Sequence, residues 1–594
     1  MKAFYLELHN PLPPRFRTHR ARVWLAIAAM AAAGALLTWR AVDLQVLQHE
    51  ALSGLAQSQF QRTIAVKGKR GEILDRDGRR LAVSLKAESF YAHPDRVANP
   101  SRAAFRLSEV LGVPRERLEE RLRSNRPFVW IARQVLPGEA KRVHALGLEG
   151  VHALREFRRV YPGRFFAAPV LGFTGIDTQG LEGLEYAYDS YLKGAEGLHV
   201  VDRDALGRTL LISRERVLNG GGSIRLTLDS AIQMFAESVL TNAIARWEAL
   251  RGIAIVMDSR SGEILAMAQV PAFNPNDYRR YDKETFFNRA VTSGYEPGST
   301  FKVITVAAAL EEGVVQADSL FFCEEGEYAY YDGVIHDTSP HGWLTLGRVV
   351  QVSSNICAAK VGAALPATVF HEFITGLGFG KRPGLFTGPD GRQLAGEATG
   401  YVLAAEKWTP VDHAAISFGH GILVSPLQLI TAINAVATGG WLVQPSLVKE
   451  VRDPEGRLLE QPRPGPRRVL SEATAATLRG FMVDVVNGEE GTGRRAALPG
   501  YPVAGKTGTT EKYDLEARGY SKTKHIASFV GFVPADDPRL TILVVIEEPA
   551  KGRYGGRVAA PVFREIAARA LPLLGVWPKD EVRHAGLADT GSAE

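Results

Sequence analysis

Ser299 and Lys302 stand three residues apart in the stretch G-Y-E-P-G-S-T-F-K-V-I, Gly294 to Ile304. Pro297 and Gly298 mark a turn. From Lys302 to about Gly313 the run Val303, Ile304, Val306 to Leu310, Glu311, Glu312 and a terminal glycine predicts a helix. Ser299 then falls in its first turn, among free backbone N–H groups at the positive end of the helix dipole. Positions i and i+3 share a face, so the Lys302 amine can reach the Ser299 hydroxyl. A serine hydroxyl is too weakly acidic to attack a carbonyl unaided at neutral pH. A lysine desolvated among apolar neighbours is neutral and can take its proton.

Two other stretches carry groups suited to the same cleft. A predicted helix from Leu344 to Val352 ends at Ser353, Ser354 and Asn355, and a second resumes at Ile356. A serine and an asparagine at such a junction can present a hydroxyl and an amide, although both residues are common there as caps. Lys506, Thr507, Gly508 and Thr509 sit inside a predicted strand. A glycine within a strand marks close approach of another backbone, here an extended substrate along the edge.

The surrounding elements must bring these stretches together. Strands are predicted at Ser223 to Leu228, Gly252 to Met257, Glu263 to Val270, Val503 to Thr510, His525 to Val533 and Leu540 to Ile546. Helices are predicted at Ser230 to Leu250 and Ala560 to Leu574. Strands, a helical block, then hairpin-linked strands imply an α+β domain whose antiparallel sheet is flanked by helices. Ahead of it, Asp43 to Ser58 reads as helix, Arg70 to Ser84 as strand, Asp-Gly turn, strand, and Ser101 to Leu111, Arg115 to Arg123 and Leu181 to Leu192 as short helices. Charges there, such as Glu116 and Glu119 beside Arg115 and Arg123, suit a solvated helix face, so this segment reads as a pedestal.

At the N-terminus Lys2, Arg15, Arg17, Arg20 and Arg22 face Glu7 alone, and Val23 to Trp39 carries no charge. A spanning helix over residues 23–40 is expected, with the tail in the cytoplasm and the remaining mass outside; the rival reading is a cleaved signal peptide. The 594 residues hold more than one domain. A net charge of +6 without interleaved aromatic and basic residues speaks against nucleic acid.

The set Ser299/Lys302, Ser353/Asn355 and Lys506/Thr507/Gly508, in the order S-x-x-K, S-x-N, K-T-G on helix, junction and strand, resembles the penicillin-interacting serine acyltransferases. The stretch R-G-E-I-L-D-R-D-G-R-R-L-A-V-S (Arg70 to Ser84) and G-L-E-G-L-E (Gly180 to Glu185) are similar to the pedestal signatures of the monofunctional class B penicillin-binding proteins. The S-S-N triplet, F-G-H-G (Phe418 to Gly421), the following S-P-L-Q-L and Y-G-G-R-V-A-A-P-V-F (Tyr554 to Phe563) resemble the cell-division type, penicillin-binding protein 3. The elongation type, penicillin-binding protein 2, is the alternative.

The resemblance implies a cytoplasmic tail (1–22), a transmembrane helix (23–40), a pedestal domain (41–220), a transpeptidase domain (221–578) and a flexible tail (579–594). It implies a membrane-anchored D,D-transpeptidase that cross-links peptidoglycan stem peptides and is acylated by β-lactams. Ser299 is the expected nucleophile and Lys302 its base. Ser353 relays a proton to the leaving amine, Lys506 holds that hydroxyl, and Asn355 binds the donor peptide. Thr507, Gly508 and Thr509 bind substrate, with the oxyanion at the backbone N–H groups of Ser299 and Thr509. A SEDS-family glycan polymerase and other division or elongation proteins are the implied partners, and no cofactor is expected. A D,D-carboxypeptidase or β-lactamase is the hydrolytic rival.

Cys323, His336, Asp337, His341 and Cys357 gather beside the second motif. They are a candidate zinc set, weighed against free thiols in a loop and a packed helix. Their spacing matches no standard zinc module, and two cysteines build no disulfide framework. The R-P-G-P-R-R run, Arg463 to Arg468, reads as a solvated loop.

Overall fold

The structure is a computed structural model that describes residues 14–53, 61–203, 209–214, 220–331, 333–394, 396–459, 464–514 and 519–579. The tail from residue 580, Arg463, and the end of the helix predicted to Ser58 lie outside the described residues. The chain divides into two compact units, Met1–Val66 with Glu196–Leu218, and Lys67–Ala195 with Asn219–Glu594.

The first unit holds the N-terminal helix, Pro14–Val42, which runs into one π-helical turn at Asp43–Leu47. Its span from Arg20 to Leu47 is long and apolar enough to cross a membrane. Leu25, Met30, Leu36 and Trp39 all stand exposed on it, the surface expected of a helix whose solvent is lipid. The unit also holds a three-stranded sheet of Gln61–Lys67, Glu196–Arg203 and Thr209–Arg214.

The second unit is built on two sheets. One is a five-stranded antiparallel sheet in the order Ile264–Val270, Arg251–Asp258, Leu540–Glu547, Gly519–Val533, Ala504–Asp514. Alternate residues of its central strands feed two cores. Ile253, Ile255, Met257, Leu543 and Val545 pack with the helices Lys302–Glu311 and Pro426–Ala437. Ala254, Val256, Ile542 and Val544 pack with Ser230–Trp247 and Ala560–Leu573. With both faces covered, these strands read as continuous apolar runs, and they fall where the sequence places them. The Ala504–Asp514 strand is an edge, so one row of its backbone groups has no neighbouring strand.

The other sheet has seven strands and joins distant parts of the chain. Its order is Leu458–Leu459, Val448–Arg452, Ser223–Leu226, Ile73–Leu74, Arg80–Ala92, Val129–Val135, with Val151–Val160 also on Arg80–Ala92. Ile73–Leu74 pairs in parallel with Ser223–Leu226. One sheet therefore runs through the sequence boundary expected at residue 220.

The two pedestal signatures meet in a buried ion network beside this sheet. Arg70 bonds Glu185 at 2.5 Å and Asp189 at 2.6 Å, while Arg159 bonds the other Glu185 oxygen at 2.6 Å. Tyr161 OH donates to that oxygen at 3.1 Å. Burial alone raises the Glu185 carboxyl, but Arg159 and Arg70 outweigh it and hold it below the usual range.

Candidate active site

The Ser299 segment forms one 3₁₀ turn, Gly298–Phe301, leading into the helix Lys302–Glu311. Every residue of that helix from Lys302 to Ala309 is buried. Its apolar faces thus carry a charged residue type into the core, where Lys302 is 0% exposed.

The second stretch has the predicted form. The helix Leu346–Val352 ends at Ser353, whose φ of 68° is left-handed, and Asn355–Ala363 follows. Ser354 caps the new helix, accepting from Cys357 N–H at 3.0 Å. Asp337 holds the junction: its Oδ1 accepts from Asn355 N–H at 2.5 Å and Ile356 N–H at 3.1 Å, and its Oδ2 from Ser354 Oγ at 2.5 Å. Asn355 Nδ2 donates to His336 O at 2.8 Å, which leaves its Oδ1 for the lysine.

The third stretch lies on the edge strand, in register with its neighbour at Lys506–Val530, Thr507–Phe529 and Gly508–Ser528. Gly508 lets this strand close on the Ser299 turn. A Cβ there would fall 3.0 Å from Thr300 Cγ2, 3.1 Å from Pro297 O and 2.3 Å from Ser528 Oγ.

The three stretches converge on Ser353. Lys302 Nζ donates to Ser353 O at 2.5 Å, Asn355 Oδ1 at 2.7 Å and Ser353 Oγ at 3.2 Å. Lys506 Nζ reaches the same Oγ at 2.9 Å. Thr507 Oγ1 donates to Thr492 Oγ1 at 2.9 Å, and Thr509 Oγ1 accepts from Gly555 N–H at 3.0 Å. Ser299, Ser353, Asn355, Thr507 and Thr509 line one cavity of about 1400 Å³, with both lysines buried beneath it. No hydrogen bond joins Lys302 to Ser299 here. The amine is engaged by Ser353 and Asn355, and such contacts often tighten only when substrate arrives.

Two amines beside one hydroxyl cannot both carry charge cheaply. Burial pushes Lys302 down to about 7, with Asp337 opposing. Burial and the Lys302 charge hold Lys506 well below an ordinary lysine. Three acceptors around Lys302 suit its ammonium form and the dry surroundings suit its amine, so the group is poised between them.

Residues 252–568 match the penicillin binding protein transpeptidase domain, and residues 65–222 the penicillin-binding protein dimerisation domain. The chain belongs to the class B penicillin-binding proteins. It is 37% identical over 549 residues to stage V sporulation protein D of Bacillus subtilis, covering 90% of this chain and 83% of that protein. It is 34% identical over 552 residues to peptidoglycan D,D-transpeptidase FtsI of Escherichia coli strain K12, covering 92% and 90%. Penicillin-binding protein 3 of Mycobacterium tuberculosis, solved with aztreonam, superposes with a TM-score of 0.68 at 27% identity, covering 86% of this chain and 98% of that one.

The cysteines of this penicillin-binding protein correct the sequence reading. Cys323 and Cys357 are not free thiols; they form a disulfide, Cα atoms 5.3 Å apart. The strand pair Leu320–Phe322 with Trp343–Thr345 brings Cys323 against the helix that carries Cys357. No group of three His, Cys, Asp or Glu able to hold a metal occurs among the described residues. Asp337, grouped with the zinc candidates, instead caps the Ser353–Asn355 junction. An 18-residue separation from Asn355 hid that role in the sequence. Arg467 and Arg468 form a two-residue strand on Trp441–Leu442, with Arg468 4.5 Å over the Trp441 ring.

Proposed function

We propose that this class B penicillin-binding protein cross-links peptidoglycan stem peptides through a Ser299 acyl-enzyme during septal wall synthesis. The observation that carries the reading is the convergence of the Lys302 and Lys506 amines on Ser353 Oγ, at 3.2 and 2.9 Å, beneath the cavity that Ser299 lines.

Ser299 attacks the penultimate D-alanine carbonyl and Lys302, near its midpoint at neutral pH, takes the hydroxyl proton. Ser353, bonded to both amines, passes a proton to the leaving D-alanine. The backbone N–H groups of Ser299 and Thr509 receive the oxyanion. Asn355 binds the donor peptide, and Thr507 and Thr509, both on the cavity wall, bind its terminal carboxylate. An amine from a neighbouring stem then resolves the acyl-enzyme.

The basic flank before Val23 supports a cytoplasmic N-terminus with the catalytic domain outside the inner membrane. The segments at Ser353 to Asn355, Phe418 to Gly421 and Tyr554 to Phe563 support the division type over the elongation type. A SEDS-family polymerase supplies the glycan. Intact-mass spectrometry after brief exposure to benzylpenicillin tests the reading: a stable adduct maps to Ser299 and is absent from Ser299→Ala. Retained labelling of that variant, or rapid drug hydrolysis with return of the unmodified mass, overturns it.

A further inference from the structure

The cavity that holds Ser299 is also lined by His420, from the F-G-H-G stretch. That stretch is stitched to the turn before the nucleophile. Gly298 N–H donates to Gly419 O at 3.1 Å, and Tyr295 N–H to Val424 O at 3.0 Å. A Cβ at Gly419, where φ is +85°, would fall 2.2 Å from Gly298 O. His420 is therefore set beside Ser299 by backbone contacts.

Glu296, three residues before Ser299, faces this histidine. Its Oε1 is fixed, accepting from Gly421 N–H at 2.9 Å and Tyr520 OH at 2.9 Å. Its Oε2 is buried, without a hydrogen bond, 3.6 Å from His420 Nδ1. His420 Nε2 has no hydrogen-bond partner among the described residues, and the side chain is 28% exposed. A fixed carboxylate at ion-pair distance from one imidazole nitrogen, and a free second nitrogen beside a serine acyl site, form an acid–histidine pair in which the carboxylate steadies the imidazolium by its charge. Burial is the main influence on His420 and holds it below its ordinary range. Among the groups facing it, Glu296 and Glu511 favour its charge and Lys302 opposes it, while the Tyr520 ring lies 5.6 Å away. The neutral imidazole can accept a proton.

The transfer half of the reaction needs such a group, and this inference rests on the transpeptidase reading. An aliphatic amine titrates near 10.4, so the acceptor arrives as an ammonium and cannot attack until it loses a proton. Lys302 already serves the Ser299 hydroxyl. We propose that His420, paired with Glu296, is the catalytic base that takes this proton from the acceptor. The ammonium gives one proton to His420 Nε2, forming an imidazolium beside Glu296. The freed amine attacks the acyl carbonyl: the new N–C bond forms and the bond from carbon to Ser299 Oγ breaks. The second amine proton passes through Lys302 to Ser299 Oγ, and His420 returns its proton to solvent.

The test uses the full chain in detergent with an N-acyl-D-alanyl thioester as donor and a D-amino acid as acceptor. Thiol release reports acylation, and mass spectrometry separates amide from hydrolysed product. In His420→Gln the ratio of amide to released thiol falls about 100-fold near neutral pH, the scale of a lost general base. The deficit shrinks as pH approaches the acceptor's own titration. Glu296→Gln lowers the ratio less, and added imidazole restores it in His420→Ala. A structural lesion lowers thiol release and amide together and leaves the ratio alone. An unchanged ratio in His420→Gln across neutral to alkaline pH overturns the proposal. If that variant does not fold, an unchanged ratio in Glu296→Gln, or no rescue of His420→Ala by imidazole, does the same. A wild-type chain that neither releases thiol nor takes up penicillin indicts the transpeptidase reading instead.

Discussion

The rate of Ser299 acylation should titrate with Lys302, and the burial of that amine fixes where. With a midpoint at about 7, roughly one-tenth of the amine is neutral a unit below the midpoint and nine-tenths a unit above it. The first-order acylation rate at saturating benzylpenicillin should therefore rise about tenfold between pH 6 and pH 8 and then level off. A lysine in water titrates near 10.4, and would give about a hundredfold rise over the same interval with no plateau. Stopped-flow acylation at constant ionic strength distinguishes the two curves directly. Asp337 gives a second handle, since its charge favours the ammonium form. Asp337→Asn keeps an oxygen for the Asn355 and Ile356 N–H groups while removing that charge, so the midpoint should move further down. The readout is the midpoint, which a general loss of packing does not shift in a chosen direction. A rate climbing about tenfold per pH unit through pH 9, or one flat from pH 6 upward, would refute the assignment of Lys302 as the base.

Two further outcomes concern the scaffold. Removing one partner of the buried pedestal network, as in Glu185→Ala, should cost about 3–5 kcal/mol in denaturant unfolding, because Arg70 and Arg159 are left charged and buried. Since the folded Glu185 carboxyl sits below its unfolded value, its contribution is full above the ordinary carboxylate range and disappears as pH falls through the folded value; an unfolding free energy unaffected by the substitution contradicts this account. The Cys323–Cys357 bond closes a sequence separation of 34, which by loop entropy is worth roughly 3–4 kcal/mol. Reduction, or Cys323→Ser with Cys357→Ser, should lower stability on that scale, and identical unfolding with and without reductant would show that the bond does not form.

What could be read from the sequence follows the reach of local physics. The placement of Ser299 and Lys302 at a helix start was legible because a Pro-Gly turn and an apolar run fix it; the 3₁₀ turn at Gly298–Phe301 and the turning of the Lys302 amine to Ser353 and Asn355 were not. Lys506 was legible because Val503 and Ala504 open a strand that the β-branched Thr507, Thr509 and Thr510 continue. The strand ends were not. The ladder continues through the Glu511–His525 and Tyr513–Tyr520 pairs, but those residues are polar or partly exposed, so the apolar signal stops before the backbone pairing does. The pedestal strand Val151–Val160 was missed for a related reason: V-H-A-L-R-E-F-R-R-V leaves nearly all its side chains at least partly exposed, and the alternation is faint. Long-range partners leave no local trace at all. Glu296 and Gly421 are 125 residues apart, Arg70 and Glu185 are 115 apart, and only the assembled fold joins them.

The site is built against the stability of its own core. Lys302 and Lys506 are both fully buried, and the five-stranded sheet and the helix Lys302–Glu311 would pack more favourably around apolar residues of the same volume. An amine that titrates near 10.4 when unfolded and at about 7 when folded costs roughly 4 kcal/mol at neutral pH, a penalty that fades only as pH rises from the folded toward the unfolded value. Ser353 adds a left-handed backbone at a non-glycine residue. The disulfide at Cys357, the Asp337 cap and the Lys506 bond from the edge strand all tie this junction down, which keeps a costly arrangement in place. The same sheet explains how the cost is borne without loss of order. Its inner strands are covered on both faces, while Lys506 lies on the edge strand, two register positions from Gly508, where the backbone can approach the Ser299 turn. The proposed chemistry lies at the boundary between a rigid core and an open edge, and the buried lysines that oppose folding are those that the proposed reaction uses.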